Sequence, residues 1–193
     1  MRISEPDELL RIICGSREAD QPSDHTGQLI FIGGIHGVGK SHLQSILASA
    51  LPDARQLSAS ELLNWRSADK RVDSPSALAD NQSILASRIL NIKRQYPLTI
   101  LNGHFCITLS DGRFEYVGDD VFLQIRPSLI ICMICDPILI HKRLTARDGK
   151  SPSTDLLADM QQKELDRAAH VSDLLSIPLI IHASEGNGGK SQE

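Results

Sequence analysis

Gly34-Ile35-His36-Gly37-Val38-Gly39-Lys40-Ser41 satisfies the pattern G-x-x-x-x-G-K-[ST] at every fixed position. The flanking residues supply the setting such a stretch needs. Upstream, Leu29-Ile30-Phe31-Ile32 is a short apolar run rich in strand formers. Downstream, Leu43, Ile46, Leu47, Ala50 and Leu51 recur at helical spacing. A strand, a glycine-rich turn and a helix start together make an anion site. Backbone N–H groups converge there, with the positive end of the helix dipole behind them. Lys40 is placed to reach the outer phosphates, and the Ser41 hydroxyl to ligate Mg²⁺. The cradle is assigned to Gly34, Ile35, His36, Gly37, Val38, Gly39, Lys40, Ser41 and His42, and its ligand to a nucleoside triphosphate.

At 193 residues the chain suits one domain with a full core. No apolar run approaches bilayer-spanning length, and Met1-Arg2-Ile3-Ser4-Glu5 lacks the basic-then-apolar form of a signal peptide. A cytoplasmic setting and no membrane association are expected. The formal charge is −4 and no dense Lys/Arg run occurs, which argues against a general affinity for nucleic acid. Cys132 and Cys135 have C-x-x-C spacing but lie in the apolar run from Leu129 to Cys135, the pattern of a buried parallel strand. No second cysteine pair closes a zinc site, so the four cysteines are expected to be free thiols, those of this run in the core.

Strand patterns fall at 28–32, 54–57, 97–102, 128–135 and 178–182, and helix patterns near 40–51, 60–66, 76–95, 137–148 and 155–175. That alternation predicts an α/β fold with right-handed crossovers, a parallel sheet covered on both faces and ligands beyond the carboxyl ends of the strands. Asp111-Gly112, between His104–Leu109 and Phe114–Val117, predicts an antiparallel hairpin interrupting the rhythm. Residues 1–27 form an N-terminal extension with a short helix over Glu8–Ile13 and a polar linker. Residues 28–184 form the main domain, and 185–193 a frayed tail.

Asn102 closes the strand beside the first, where a carboxylate would hold a metal; its amide can orient only a metal-bound water. Asp136-Pro137 reads as an N-cap and a first-turn proline. Arg143 and Arg147 share one helix face, suited either to clamping phosphate oxygens or to a solvated basic face paired with Asp148. His104 either faces a substrate or caps the hairpin. In the arm after the second strand, Gln82 lies in the apolar stripe of Leu78, Leu85, Ile89 and Ile92, next to Asn81. Its amide needs a partner, either backbone or a ligand base. Lys70 and Arg71 are candidates for an acceptor phosphate. Ser58 and Glu61 match a capping box, which discounts Ser58 and Ser60 as catalytic groups.

Laid out in this order, the chain resembles the P-loop nucleoside monophosphate kinases, most closely the short-lidded archaeal-type adenylate kinases. The likeness runs from Leu29 to about His182. It rests on the glycine-rich loop, the arm with Lys70, Arg71 and Gln82, and Asn102-Gly103-His104 before a hairpin. Arg126-Pro127, Asp136-Pro137, Arg143, Arg147-Asp148 and a helix carrying Glu164 and Arg167 complete it. The resemblance implies a three-layer P-loop NTPase fold, with a five-stranded parallel sheet of order 2-3-1-4-5, a hairpin insertion, an acceptor arm and a short lid. It also implies ATP with Mg²⁺ as donor and lid arginines at Arg143 and Arg147. Asn102 departs from the family's usual aspartate, and the lid lacks a further arginine, with Lys150 in its place.

Two functions follow as expectations. One is γ-phosphoryl transfer from ATP to a nucleotide or similar small acceptor, with Lys40, Arg143 and Arg147 catalytic. The other is an accessory nucleotide-binding protein or slow ATPase, with a protein partner or second copy bound through the extension. Phosphorylation of a nucleic-acid end or activated sugar is a more distant third.

Overall fold

The computed structural model describes residues 1–19, 27–63, 75–109 and 113–184. Lys70, Arg71 and the 185–193 tail lie outside them. The chain opens with strand β1 (Arg2–Ile3) and helix α1 (Pro6–Ala19), followed by β2 (Gln28–Gly33) and α2 (Lys40–Ala50). Then come β3 (Arg55–Ser58), α3 (Ala59–Leu62), α4 (Pro75–Lys93) and β4 (Leu98–Asn102). A hairpin of β5 (Cys106–Thr108) and β6 (Phe114–Tyr116) leads to α5 (Asp119–Ile125), β7 (Leu129–Ile134), α6 (Pro137–Asp148), α7 (Thr154–Leu175) and β8 (Leu179–Ala183).

The main sheet is parallel, with order β1-β8-β7-β2-β4-β3. Its five longer strands, β8, β7, β2, β4 and β3, stand in the expected order. The expected count of five strands is corrected to six. Arg2 and Ile3 pair with Ile181 and His182, and the Met1 amine donates to the Leu179 carbonyl. A two-residue strand carries no periodicity, so nothing in the sequence announces it. The extension is likewise fused to the domain: Leu9 and Ile13 of α1 are buried in the same cluster as Leu43 and Leu47 of α2.

Residues on the sheet alternate between two apolar layers, as the pleat demands. Ile30, Ile32, Ile100 and Ile131 face α1, α2 and α6. Leu29, Phe31, Leu101 and Ile130 face α4, α5 and the second half of α7. Phe31, Phe105 and Phe122 cluster on that second side, with ring centroids 4.9 to 5.6 Å apart. Gly33 ends β2 against the Phe105 ring, and any Cβ there would collide with it. The loop from 149 to 153 joins α6 and α7, at the place where a short lid is expected. Among the described residues no helix is long and apolar enough to cross a membrane.

Candidate active site

The glycine-rich loop leaves β2 and enters α2 at Lys40, with Gly39 as the residue before the first turn. Val38 and Ile35 bury their side chains in the core, so only their main-chain groups are available to a ligand. Gly37 has φ 80°, a left-handed value that glycine adopts without strain. A Cβ on it would also meet Leu144 Cγ of α6 at 3.0 Å. The loop is pinned from behind. The Ser184 hydroxyl, just past β8, donates to the Val38 carbonyl at 2.6 Å, and Arg143 Nη1 donates to the Gly37 carbonyl at 3.2 Å.

Lys40 folds back into this cradle and donates to the carbonyls of Gly34 (2.6 Å) and Ile35 (3.0 Å). Burial lowers its pKa from 10.5 to about 8, against an opposing pull from the Glu164 carboxylate. Glu164 is the polar group that sequence reasoning left without a task. It projects from α7, is 2% exposed, and accepts from the Phe105 and Cys106 N–H groups at 2.9 and 3.2 Å. Its partners lie 59 and 58 residues away, so no local pattern reveals the link. From the same helix Arg167 donates to the Val117 carbonyl and pairs with Asp119 at 2.6 Å. The helix thereby holds both legs of the hairpin.

His104 stands between these groups. Its Nδ1 lies 3.5 Å from Glu164 Oε1, and its ring lies 4.4 Å from that of His36 in the loop. Burial first, then the neighbouring Lys40, push its pKa below the usual histidine value, while Glu164 pulls the other way. The ring is therefore neutral near pH 7. Asn102 ends β4 beside the loop, and its Nδ2 donates to Gln44 Oε1 at 3.3 Å. Arg147 forms a two-pronged pair with Asp148 at 2.8 and 2.7 Å and is 59% exposed. Arg143 thus stands against the loop, while Arg147 rests in the solvated pair. Both still line one cavity of about 790 Å³ together with Lys40, Ser41, His36 and His42.

Residues 30–166 match the AAA domain family model AAA_18. The chain belongs to that family. No curated protein sequence matches this AAA domain. Among solved structures it is similar to thymidylate kinase from Candida albicans, at 18% identity and a TM-score of 0.52, over 83% of this chain and 86% of that one. A shikimate kinase from Bacteroides thetaiotaomicron is a looser match, at 17% identity and a TM-score of 0.49, over 80% and 85%. The first likeness establishes a P-loop kinase-like fold.

Other expected roles resolve structurally in this AAA domain. Asp136 caps α6 by accepting from the Ile138 N–H at 2.8 Å. Gln82 finds a backbone partner, with Oε1 accepting from the Gly118 N–H at 3.1 Å, and it lines the cavity as well. The capping box at Ser58 and Glu61 is corrected: Ser58 stands at the N-cap of α3 without a side-chain cap bond. Its Oγ lies instead 2.8 Å from that of Ser60, and both serines line the cavity. The described cysteines are free thiols. Cys132 and Cys135 are buried, Cys106 is half-buried and Cys14 is exposed.

Proposed function

We propose that this AAA domain is an ATP-dependent phosphotransferase, passing the γ-phosphoryl group of ATP to a small-molecule acceptor in the manner of the short-lidded adenylate kinases it resembles. One observation carries the proposal. Lys40 is held inside a closed glycine loop at a helix start, with Arg143 against the same loop, and the cavity continues well past both. A polyphosphate displaces the Gly34 and Ile35 carbonyls from Lys40 and restores the charge that burial weakens. Arg143 neutralises the transferred group from the side of Gly37, and Arg147 joins it by releasing Asp148. Positioning and charge neutralisation then supply the catalysis, with no covalently modified residue required. A cytoplasmic setting, where ATP is abundant, goes with this proposal.

The residues present fit Mg²⁺. Among the described residues no cluster of three His, Cys, Asp or Glu side chains is placed to hold a metal. Mg²⁺ keeps several waters and leans on substrate phosphates, so a single hydroxyl and one oriented water are an adequate protein share. Ser41 would ligate it directly. With Nδ2 of Asn102 committed to Gln44, the amide oxygen is the atom available to a metal-bound water. When bound, the metal would draw charge from the phosphate oxygens. The test is transfer from γ-labelled ATP to an acceptor panel. Lys40→Ala and Arg147→Ala are expected to reduce it, and unaltered transfer in both would overturn the assignment of roles.

A second reading is an accessory ATPase. The neutral Asn102 favours it, because it anchors metal less firmly than a carboxylate. ADP accumulating at the same rate with and without any acceptor would favour that reading.

A further inference from the structure

Two side-chain amides link the site to the edge of the sheet. Asn102 ends β4 with its backbone in register with Ile32 of β2 and Ser58 of β3, so the sheet fixes its position and only its side chain can turn. Gln44 lies on α2 three residues after Ser41, on the same helix face. It bonds in two directions, and both bonds are partly shielded from water. Its Nε2 donates to the Leu57 carbonyl of β3 at 2.9 Å, and its Oε1 accepts from Asn102 Nδ2 at 3.3 Å. This chain of bonds has only one sense. A carbonyl can only accept, so Leu57 takes the nitrogen end of Gln44. The oxygen end is left for Asn102, which must answer with its nitrogen. Turning either amide over would set two acceptors against each other.

We infer that Gln44 is the positioning residue of the Mg²⁺ site, holding Asn102 with its amide oxygen turned to a metal-bound water. The inference rests on the nucleotide and Mg²⁺ assignments of the phosphotransferase reading and deepens them. Asn102 is neutral, and a freely turning amide would present its oxygen or its nitrogen. Only the oxygen can accept from a metal-bound water. Orientation therefore has to supply what charge does not, and groups bonded behind a ligand are the usual means of supplying it. Helix α2 then serves the metal twice, through the Ser41 hydroxyl and, three residues on, through the amide that sets Asn102. The same wiring makes the site unsuited to an aspartate at 102. A carboxylate has no N–H to give and would meet Gln44 Oε1 acceptor to acceptor. Relief would require the Gln44 amide to turn over and abandon the Leu57 carbonyl.

The test uses the full chain and reads metal binding directly, with Mn²⁺ as a paramagnetic stand-in for Mg²⁺ and the β,γ-imido analogue of ATP as nucleotide. Calorimetry in EDTA measures the affinity for the analogue alone. Electron paramagnetic resonance measures the Mn²⁺ affinity of the protein–nucleotide complex. Gln44→Met keeps the side-chain length and a good helix former but breaks both bonds. It should weaken Mn²⁺ binding about tenfold and leave the metal-free nucleotide Kd unchanged. Gln44→Glu still accepts from Asn102 and should retain most of the Mn²⁺ affinity. Asn102→Asp is the coupled probe. In the parent it should lower the melting temperature, because it opposes Gln44. In the Gln44→Met background it should leave melting unmoved and recover the lost Mn²⁺ affinity. Mn²⁺ binding unaltered in Gln44→Met, an equal loss in Gln44→Glu, or the same melting loss from Asn102→Asp in both backgrounds overturns the inference and leaves the phosphotransferase reading standing. So does a metal-free nucleotide Kd weakened by the same factor as Mn²⁺ binding, which would mark Gln44 as a prop for α2. Absence of nucleotide binding by the parent removes the site itself.

Discussion

The phosphate loop and the corner from Asn102 to Cys106 sit side by side at the carboxyl ends of β2 and β4, yet they are held by opposite means. The loop takes its shape from within, although Ser184 and Arg143 brace it from outside. Lys40 bonds to carbonyls five and six residues away, and the shape follows from glycines within one octapeptide. The corner is held by a carboxylate nearly sixty residues distant, on the last helix. The first is therefore a place where substitution disturbs ligand binding, the second a place where it disturbs folding and the charge state of its neighbour.

The sharpest way to break that contrast is Lys40→Ala. Removing a preorganised cation from the transferred group should lower the phosphotransfer rate by about 10²–10³-fold. The melting temperature should stay near that of the parent, and a collapse in melting would show that the loop lysine is a structural strut instead. Next in size, Glu164→Ala strips the acceptor from two N–H groups and should destabilise the fold by about 2–4 kcal/mol in urea unfolding. Glu164→Gln keeps one oxygen and should recover part of that loss. A midpoint unmoved by either change means the corner is held by something else.

A smaller effect links the two regions. In the free protein Lys40 has a pKa of about 8, against 10.5 when unburied. The folded chain thus binds fewer protons than the unfolded one between those values, and the stability set by this group rises as pH climbs from about 8 to 10.5. Below pH 8 its penalty is fully present. ATP, by favouring the charged amine, should draw a proton into the site at pH 8.5 to 9.5. Binding heats measured in buffers of different ionisation enthalpy would reveal it. Glu164→Gln removes the carboxylate that raises the Lys40 pKa, so proton uptake should begin at lower pH; an unshifted onset would sever the coupling.

The smallest effects separate the two arginines. Arg147→Ala should change unfolding stability by at most about 0.5 kcal/mol, because its partner is an exposed neighbour. Arg143→Ala, which loses a bond to the Gly37 carbonyl, should cost about 1 kcal/mol. Equal losses would mean that Arg143 does not brace the loop.

How much of this was legible beforehand follows the same division. The loop, α2 and the cap at Asp136 rest on contacts within a few residues, and periodicity or a short pattern reports them, whereas the strand order joins residues some seventy or more apart and was expected only through the family resemblance. The hairpin was visible because Asp111-Gly112 is a local turn signal. Short α5 offered seven residues and one turn of acidic side chains, too little for a helical period to emerge. The task of Glu164, the support from Ser184 and the β1–β8 pairing each join segments far apart in the chain, and no local spacing encodes them. Gln82 was an intermediate case. Its need for a partner was evident from an amide in an apolar stripe, but the identity of Gly118 required the fold.

The vacancy at Gly33 has a consequence for anyone remodelling this pocket. The missing side chain is the socket that receives the Phe105 ring, so the start of the loop and the corner beneath it interlock as a mortise and tenon. Changing either residue alone jams or empties the joint. Libraries built one position at a time would reject both, and only those that vary the two together, a small side chain at 33 with a slimmer one at 105, could find a working alternative.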